Sequence, residues 1–280
     1  MKTITLSAPA KTNLSLRILS KRDDGFHEID TLMVKLPGLA DQITISLAEE
    51  FSFECSDPEL PQDHGNLVIK SLNYYKSEIK ENFNCSILLI KNIPHGAGLG
   101  GGSSDAAATL IGLNQLFDYR LNPQELSQLA SELGSDIPFF LTAGAARCTG
   151  RGEMIAAVSS PPALPILLLK PAFSVATPDA YKRWKQSFEI SSVDYKPQKV
   201  SGISLVNDLE RPVFEKHRFL AELKQWLLGR SEVAAAMLSG SGSTVFAILH
   251  DLADAEKVAK AARDELDPTL WHWAGMTEEI

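Results

Sequence analysis

The stretch Asn92–Leu110, NIPHGAGLGGGSSDAAATL, decides how the chain is read. Glycine fills most positions from Gly96 to Gly102, and Ser103, Ser104, Asp105 and three alanines follow at once. Glycine admits positive φ and lets a ligand approach the main chain, while alanine is the strongest helix former. The first amides of the helix that follows have no internal partners and carry positive partial charge. A flexible loop feeding a helix N-terminus suits an anion, above all phosphate. A structural turn is the plainer reading, but so many glycines carry an entropy cost that a turn does not require.

Two known phosphate loops do not fit. Gly96, Gly98 and Gly101 satisfy G-x-G-x-x-G after a predicted strand, Cys85–Lys91. A dinucleotide fold needs a second strand after the helix, ending in an acidic residue about 20 positions on. Here the chain reads DYRLNPQELSQLA, Asp118–Ala130, a turn and another helix. A Walker loop needs Gly-Lys-Ser/Thr, and Gly102 is followed directly by Ser103. The amides around Gly98–Ser104 and the hydroxyls of Ser103 and Ser104 can cradle phosphates, but the cation must come from elsewhere. Plain helix capping is the other reading of the two serines.

Working outward, TITLSA (Thr3–Ala8), NLSLRI (Asn13–Ile18) and QITISL (Gln42–Leu47) alternate as strands. Leu67, Val68, Leu72, Tyr75 and Ile79 form one helical stripe; Leu67 and Val68 fit either a core face or a nucleotide pocket. The helix after the glycine loop is predicted from about Ser104 to Phe117. Asn122 and Pro123 open another that ends at Gly134. Ser159–Pro165, SSPPALP, is the best linker, dividing the chain into 1–158 and 159–280. Beyond it, ILLLKPA reads as a buried strand and TPDAYKRW as a helix capped by Thr177. SGSGSTVFAIL is a second glycine-rich turn entering a strand. In LADAEKVAKAARDEL, Leu252, Ala255, Val258, Ala259, Ala262 and Leu266 face inward. Strands and helices mix without strict βαβ alternation, so the expected class is α+β.

The 280 residues are 44% hydrophobic and 22% charged, enough for a sizeable core, and the net charge of −8 argues against nucleic acid or an anionic membrane as partner. Cys55, Cys85 and Cys148 are odd in number and widely spaced, which fits reduced thiols in a cytoplasm. The N-terminal residues lack an apolar h-region, so no signal peptide is expected, and no apolar run reaches membrane-spanning length.

Five blocks in order, PAKTNLSLRI (Pro9–Ile18), RDDGFHEIDT (Arg22–Thr31), PHGAGLGGGSSDAAA (Pro94–Ala108), LGSDIPFF (Leu133–Phe140) and LSGSGSTVFA (Leu238–Ala247), resemble one known group. It is the galactokinase, homoserine kinase, mevalonate kinase and phosphomevalonate kinase (GHMP) superfamily. Within it the blocks are most similar to kinases of a cytidine diphosphate-linked methylerythritol, which act in the non-mevalonate route to isoprenoid precursors. The resemblance implies a two-domain α+β fold, an N-terminal domain like domain 2 of ribosomal protein S5 followed by a ferredoxin-like C-terminal domain. It implies ATP with Mg2+, the substrate's 2-hydroxyl as acceptor, and a cytoplasmic monomer or weak homodimer. Another small-molecule kinase of the superfamily, such as a homoserine kinase, and a non-catalytic nucleotide-binding regulator are the alternatives.

The resemblance also assigns residues. Pro94, Gly96, Ala97, Gly98, Leu99, Gly100, Gly101, Gly102, Ser103 and Ser104 would hold the ATP phosphates. Asp136 alone reads as the cap of the short helix after it; the resemblance makes it the base that takes the acceptor's proton. Lys11 would supply the missing cation, with Asn13 on the same strand face in support. Phe26 and His27 would flank the cytosine, with His27 at its polar edge, although the family pattern carries tyrosine where this chain has Phe26. Tyr181 would lie on the other face of the base. Gly240 and Gly242 form either a tight turn or a backbone approach to the substrate diphosphate. GFHEIDT lacks the second histidine of a zinc motif, and magnesium binds mostly to substrate phosphates, so no protein metal cage is expected.

Overall fold

A computed structural model describes residues 2–158 and 162–278. The division expected at 158/159 therefore falls at Ser159–Pro161, outside the described residues. Two compact units emerge, each discontinuous in sequence. The first takes residues up to Ala10, Leu39–Pro94 and Gly100–Ala143; the second takes Lys11–Gly38, His95–Leu99 and residues from Gly144 on. Two long strands, β1 (Thr3–Lys21) and β2 (His27–Ala48), each cross one of these boundaries. Sequence alternation predicts β1 as two strands. The PAKT segment between them, Pro9–Thr12, continues the strand instead, and Ala10, Lys11 and Thr12 are buried.

In the first unit β3 (Ser52–Cys55) and β4 (Asn84–Ile90) are parallel. A parallel pair needs a crossover, supplied by helix α1 (Leu67–Ile79), capped by Asn66 accepting from the Val68 amide. β4 runs antiparallel to the second half of β2, from Gln42↔Ile90 to Ala48↔Asn84. The start of β1 lies beyond β2, with the Thr5 and Thr44 hydroxyls 2.9 Å apart. Helix α2 (Gly101–Leu116) packs on these strands where Gly112 leaves no room; a Cβ there would meet Leu6 at 2.6 Å and Ile45 at 3.0 Å. α3 (Pro123–Leu133) opens with a full capping box between Asn122 and Glu125, and α4 (Ile137–Phe140) is one buried apolar turn.

In the second unit β5 (Ala146–Gly150) pairs with the first half of β2 and forms a hairpin with β6 (Met154–Ala157). A four-stranded antiparallel sheet follows, built on β7 (Pro165–Lys170). After β7 come α5 (Thr177–Arg183), the hairpin β8 (Gln198–Val200) and β9 (Ile203–Asn207), then α6 (Glu210–Lys216) and α7 (Arg218–Leu228). β9 joins the far part of β1 in parallel at Ser15↔Val206. The chain returns through β10 (Val233–Leu238), β11 (Val245–Leu249), α8 (Ala255–Glu265) and β12 (Trp271–Met276). The sheet order β10-β11-β7-β12 is that of a split βαβ, ferredoxin-like layer. Its apolar face, including Leu167, Leu169, Ala236 and Ala247, shares one core with Leu223 and Leu227 of α7 and Val258 and Ala262 of α8.

α5 departs from expectation. Thr177 is its first helical residue and Ala176 its cap, because the Thr177 hydroxyl instead lies 2.7 Å from that of Ser241. Among the described residues no helix is long and apolar enough to cross a membrane.

Candidate active site

β4 ends at Ile90, and the glycine loop that begins at Pro94 enters α2 at Gly101, three residues earlier than the predicted start at Ser104. Gly100 is the cap, in the left-handed region at φ 71, and its carbonyl accepts from the Ser104 amide at 2.9 Å. Gly101 and Gly102 therefore form the first turn, where amides lack internal partners. No side chain caps α2, so neither Ser103 nor Ser104 serves as its cap. Ser104 is 1% exposed, and its hydroxyl has no hydrogen-bond partner among the described residues.

The earlier part of the loop lies in the second unit, and there the structure brings several sequence-predicted residues together. Gly98 (φ 76) abuts the second glycine loop so closely that a Cβ would stand 2.1 Å from the Ser239 carbonyl oxygen. The Ser239 hydroxyl donates to the Gly98 carbonyl at 3.1 Å and lies 3.0 Å from that of Thr12. The Thr244 amide donates to the Ala97 carbonyl at 3.2 Å, and the Lys11 amide to the Leu99 carbonyl at 2.9 Å. Gly240 (φ 54) passes next to the Lys11 and Asn13 side chains; a Cβ there would lie 3.6 Å from Lys11 Nζ and 3.4 Å from Asn13 Oδ1. The Asn207 amide nitrogen donates to the carbonyls of Leu238 and Gly240, holding that loop's shape. Thr12, Ser239 and Asn207 are thus neighbours of the candidate residues that sequence reasoning missed; as isolated small polar residues they carry no spacing signal.

Lys11 and Asn13 share one face of β1, as period-two alternation requires. Lys11 Nζ donates to Asn13 Oδ1 at 2.7 Å, and Asn13 Nδ2 donates to the Thr31 hydroxyl at 2.7 Å. Thr31 in turn donates to the Ser15 carbonyl at 2.6 Å. This chain orients the Asn13 amide and holds the ammonium beside the glycine backbone. Lys11 is 4% exposed, so its charge acts in a low-dielectric setting.

A second cluster gathers the aromatic candidates. His27, at the start of β2, has its ring centroid 5.3 Å from that of Tyr181 and meets Trp184 edge-on at 5.9 Å. Phe26 is half-exposed, and the Arg151 guanidinium stacks over it at 5.0 Å. Burial lowers the His27 pKa, and Lys21 and Lys185 lower it further, so the imidazole is neutral at pH 7, with one donor and one acceptor nitrogen. Sequence reading missed both Trp184 and Arg151; the spacing of Trp184, three positions after Tyr181 on one helix face, is a signal that could have found it, and Arg151 carries none.

Asp136, in the first unit, occupies the cap position of α4 with helical backbone angles, yet its carboxylate makes no capping bond. The capping explanation of this residue does not hold. Val68 is fully buried core, whereas Leu67 is half-buried and lies 3.6 Å from where a Gly102 Cβ would stand. Among the described residues no group of three His, Cys, Asp or Glu could hold a metal ion.

Comparison with known proteins gives the class of this chain, a GHMP kinase. The family model for the GHMP kinases N terminal domain matches residues 66–144, and that for the GHMP kinases C terminal matches 198–267. The 4-diphosphocytidyl-2-C-methyl-D-erythritol kinase of Methylacidiphilum infernorum is 40% identical over 269 residues, covering 94% of this chain and 93% of that one. A crystal structure of 4-(cytidine 5'-diphospho)-2C-methyl-D-erythritol kinase superposes with a TM-score of 0.80 at 30% identity, covering 99% of this chain and all of the other. Homoserine kinase from Cytophaga hutchinsonii shares the fold, with a TM-score of 0.69 at 18% identity over 99% of this chain and 95% of its own. The chain belongs to the 4-diphosphocytidyl-2-C-methyl-D-erythritol kinase family.

Proposed function

We propose that the protein transfers the γ-phosphoryl group of ATP to the 2-hydroxyl of 4-diphosphocytidyl-2-C-methyl-D-erythritol, in the non-mevalonate route to isoprenoid precursors. The observation that carries this reading is the near-full-length identity with kinases of that name. The hydroxyl oxygen attacks the γ-phosphorus, the bond to the bridging oxygen breaks, ADP leaves, and the proton passes to the Asp136 carboxylate. Such a transfer depends on positioning and on neutralising charge spread over the phosphoryl oxygens. Residues Pro94–Ser104 hold the ATP phosphates; Lys11, oriented by Asn13, supplies the cation that a Walker lysine supplies elsewhere. Phe26, His27 and Tyr181 bind the cytosine, and Gly240 and Gly242 admit the substrate diphosphate to the backbone.

Magnesium accompanies ATP and would neutralise phosphate charge. The buried Ser104 hydroxyl, a hard oxygen without a hydrogen-bond partner among the described residues, is a group that would suit such an ion carried mainly on the nucleotide. The protein acts in the cytoplasm as a monomer or weak homodimer, its sequence ordered as two modules, 1–158 and 159–280. The test is ADP release from ATP with four acceptors offered separately: the cytidine compound, homoserine, mevalonate and galactose. Turnover with the cytidine compound alone is expected; preference for any other acceptor would refute the assignment.

A further inference from the structure

Asp41 stands in the apolar-rich strand sequence PGLADQITISL, at a position only 1% exposed. A carboxylate is rarely buried there unless its oxygens are matched by donors. This one is matched by three consecutive residues at the end of β4. Its Oδ1 accepts the backbone amides of Asn92 at 2.5 Å and Ile93 at 2.8 Å, and its Oδ2 pairs with the Lys91 ammonium. Lys91 Nζ then donates to Asp105 Oδ2 at 2.7 Å, in the second turn of α2. The Asn92 side chain adds a bond to the Ala40 carbonyl at 2.8 Å. A Cβ on Gly101 would lie 3.1 Å from Ile93 and 3.3 Å from Lys91 Nζ, so the first turn of α2 rests on the same residues.

We propose that Asp41 is a positioning residue for the phosphate loop, fixing its exit from β4 through the Asn92 and Ile93 amides and its entry into α2 through Lys91 and Asp105. The proposal rests on the reading of that loop as the ATP site. The cluster is also electrically coupled. Two carboxylates share one ammonium, and the half-buried Cys55 thiol of β3 faces them, its own pKa pushed up chiefly by burial. Burial raises the Asp105 pKa, Lys91 lowers it and Asp41 raises it again, leaving it at about 7. Removing the Asp41 charge therefore lets Asp105 ionise at lower pH.

Asp41→Ala and Asp41→Asn test this, the asparagine keeping one acceptor oxygen for the two amides. The expected result is a KM for ATP raised at least about tenfold in Asp41→Ala and less in Asp41→Asn, with the KM for the cytidine compound within about twofold of wild type. Calorimetric ATP affinity, measured without acceptor, follows the same order. A rise in both KM values together or an unchanged ATP affinity would overturn the proposal. If Asp41→Ala does not fold, Asp41→Asn decides by the same readings. A wild-type protein that binds ATP but does not phosphorylate the cytidine compound would refute the assigned substrate, leaving calorimetry to decide the role of Asp41.

Discussion

Gly98→Ala is the most informative single change at the phosphate loop. The added Cβ would sit 2.1 Å from the Ser239 carbonyl oxygen and 3.0 Å from both the amide nitrogen and the carbonyl oxygen of Gly242, all backbone atoms that cannot swing aside. Relieving the overlap requires the two glycine loops to separate by about 1 Å, and a misplacement of that size costs about 100-fold in rate. That corresponds to about 2.7 kcal/mol of transition-state stabilisation. The left-handed φ of 76 adds strain, about 1–2 kcal/mol for a residue with a Cβ. Gly202→Ala separates the two effects, because Gly202 has φ 80 but nothing within 4 Å of its Cβ position. Steady-state kinetics of ADP release, calorimetric ATP affinity and thermal melting are measured on both variants. Gly202→Ala should lose a few degrees of Tm and no activity; Gly98→Ala should lose similar stability and about 100-fold in kcat/KM for ATP. Equal activity in the two variants would refute the close fit of the loops as a requirement for catalysis.

Four further outcomes are expected. Asp136→Asn should leave ATP affinity near wild type while lowering kcat about 10²–10⁴-fold; near-normal turnover would remove it as the base. The uridine analogue should be phosphorylated at least about tenfold less efficiently than the cytidine compound, because the wrong base edge leaves a buried polar group unpaired; His27→Ala should abolish most of that difference. The depressed His27 pKa means the folded state holds a neutral ring: its contribution to stability and base binding is present above the ordinary value of 6.5 and lost as pH falls through the lower folded value. A His27-dependent rise in the KM for the cytidine compound should therefore have its midpoint below pH 6.5, and a midpoint at or above 6.5 would contradict the assignment. Lys224→Met should destabilise by about 3–5 kcal/mol in denaturant titration, because it strands the buried Glu210 carboxylate, 2.7 Å from Lys224 Nζ.

The parts of the fold that were legible in sequence are those where local chemistry suffices. Asn122, Pro123 and Glu125 announce α3, and the 3.6-residue stripe of α8 places Val258, Ala259 and Ala262 in the core as found. The start of α2 was not legible, because glycine is the poorest interior helix former apart from proline; bonds such as Ser104 N to Gly100 O recruit Gly101 and Gly102 into its first turn nonetheless. Thr177 looks like a cap from composition, but a distant hydroxyl, Ser241, claims its side chain. Local pattern also cannot show that β1 and β2 each belong to two compact units. At the site, Lys11, Asn13 and the glycines carried motif signals. Thr12, Ser239, Asn207 and Arg151 act through partners far away in sequence, which spacing does not encode.

The central claim is tested most directly by identifying the product. Wild-type protein is incubated with ATP, Mg2+ and 4-diphosphocytidyl-2-C-methyl-D-erythritol, and the product is read by phosphorus-31 NMR with correlation to protons and carbons. The account predicts ADP in equal amount to a new phosphomonoester coupled to the carbon bearing the 2-hydroxyl, with the diphosphate linkage to cytidine intact. A phosphate on any other hydroxyl, cleavage of the diphosphate, or ADP formed without a phosphorylated acceptor would contradict it.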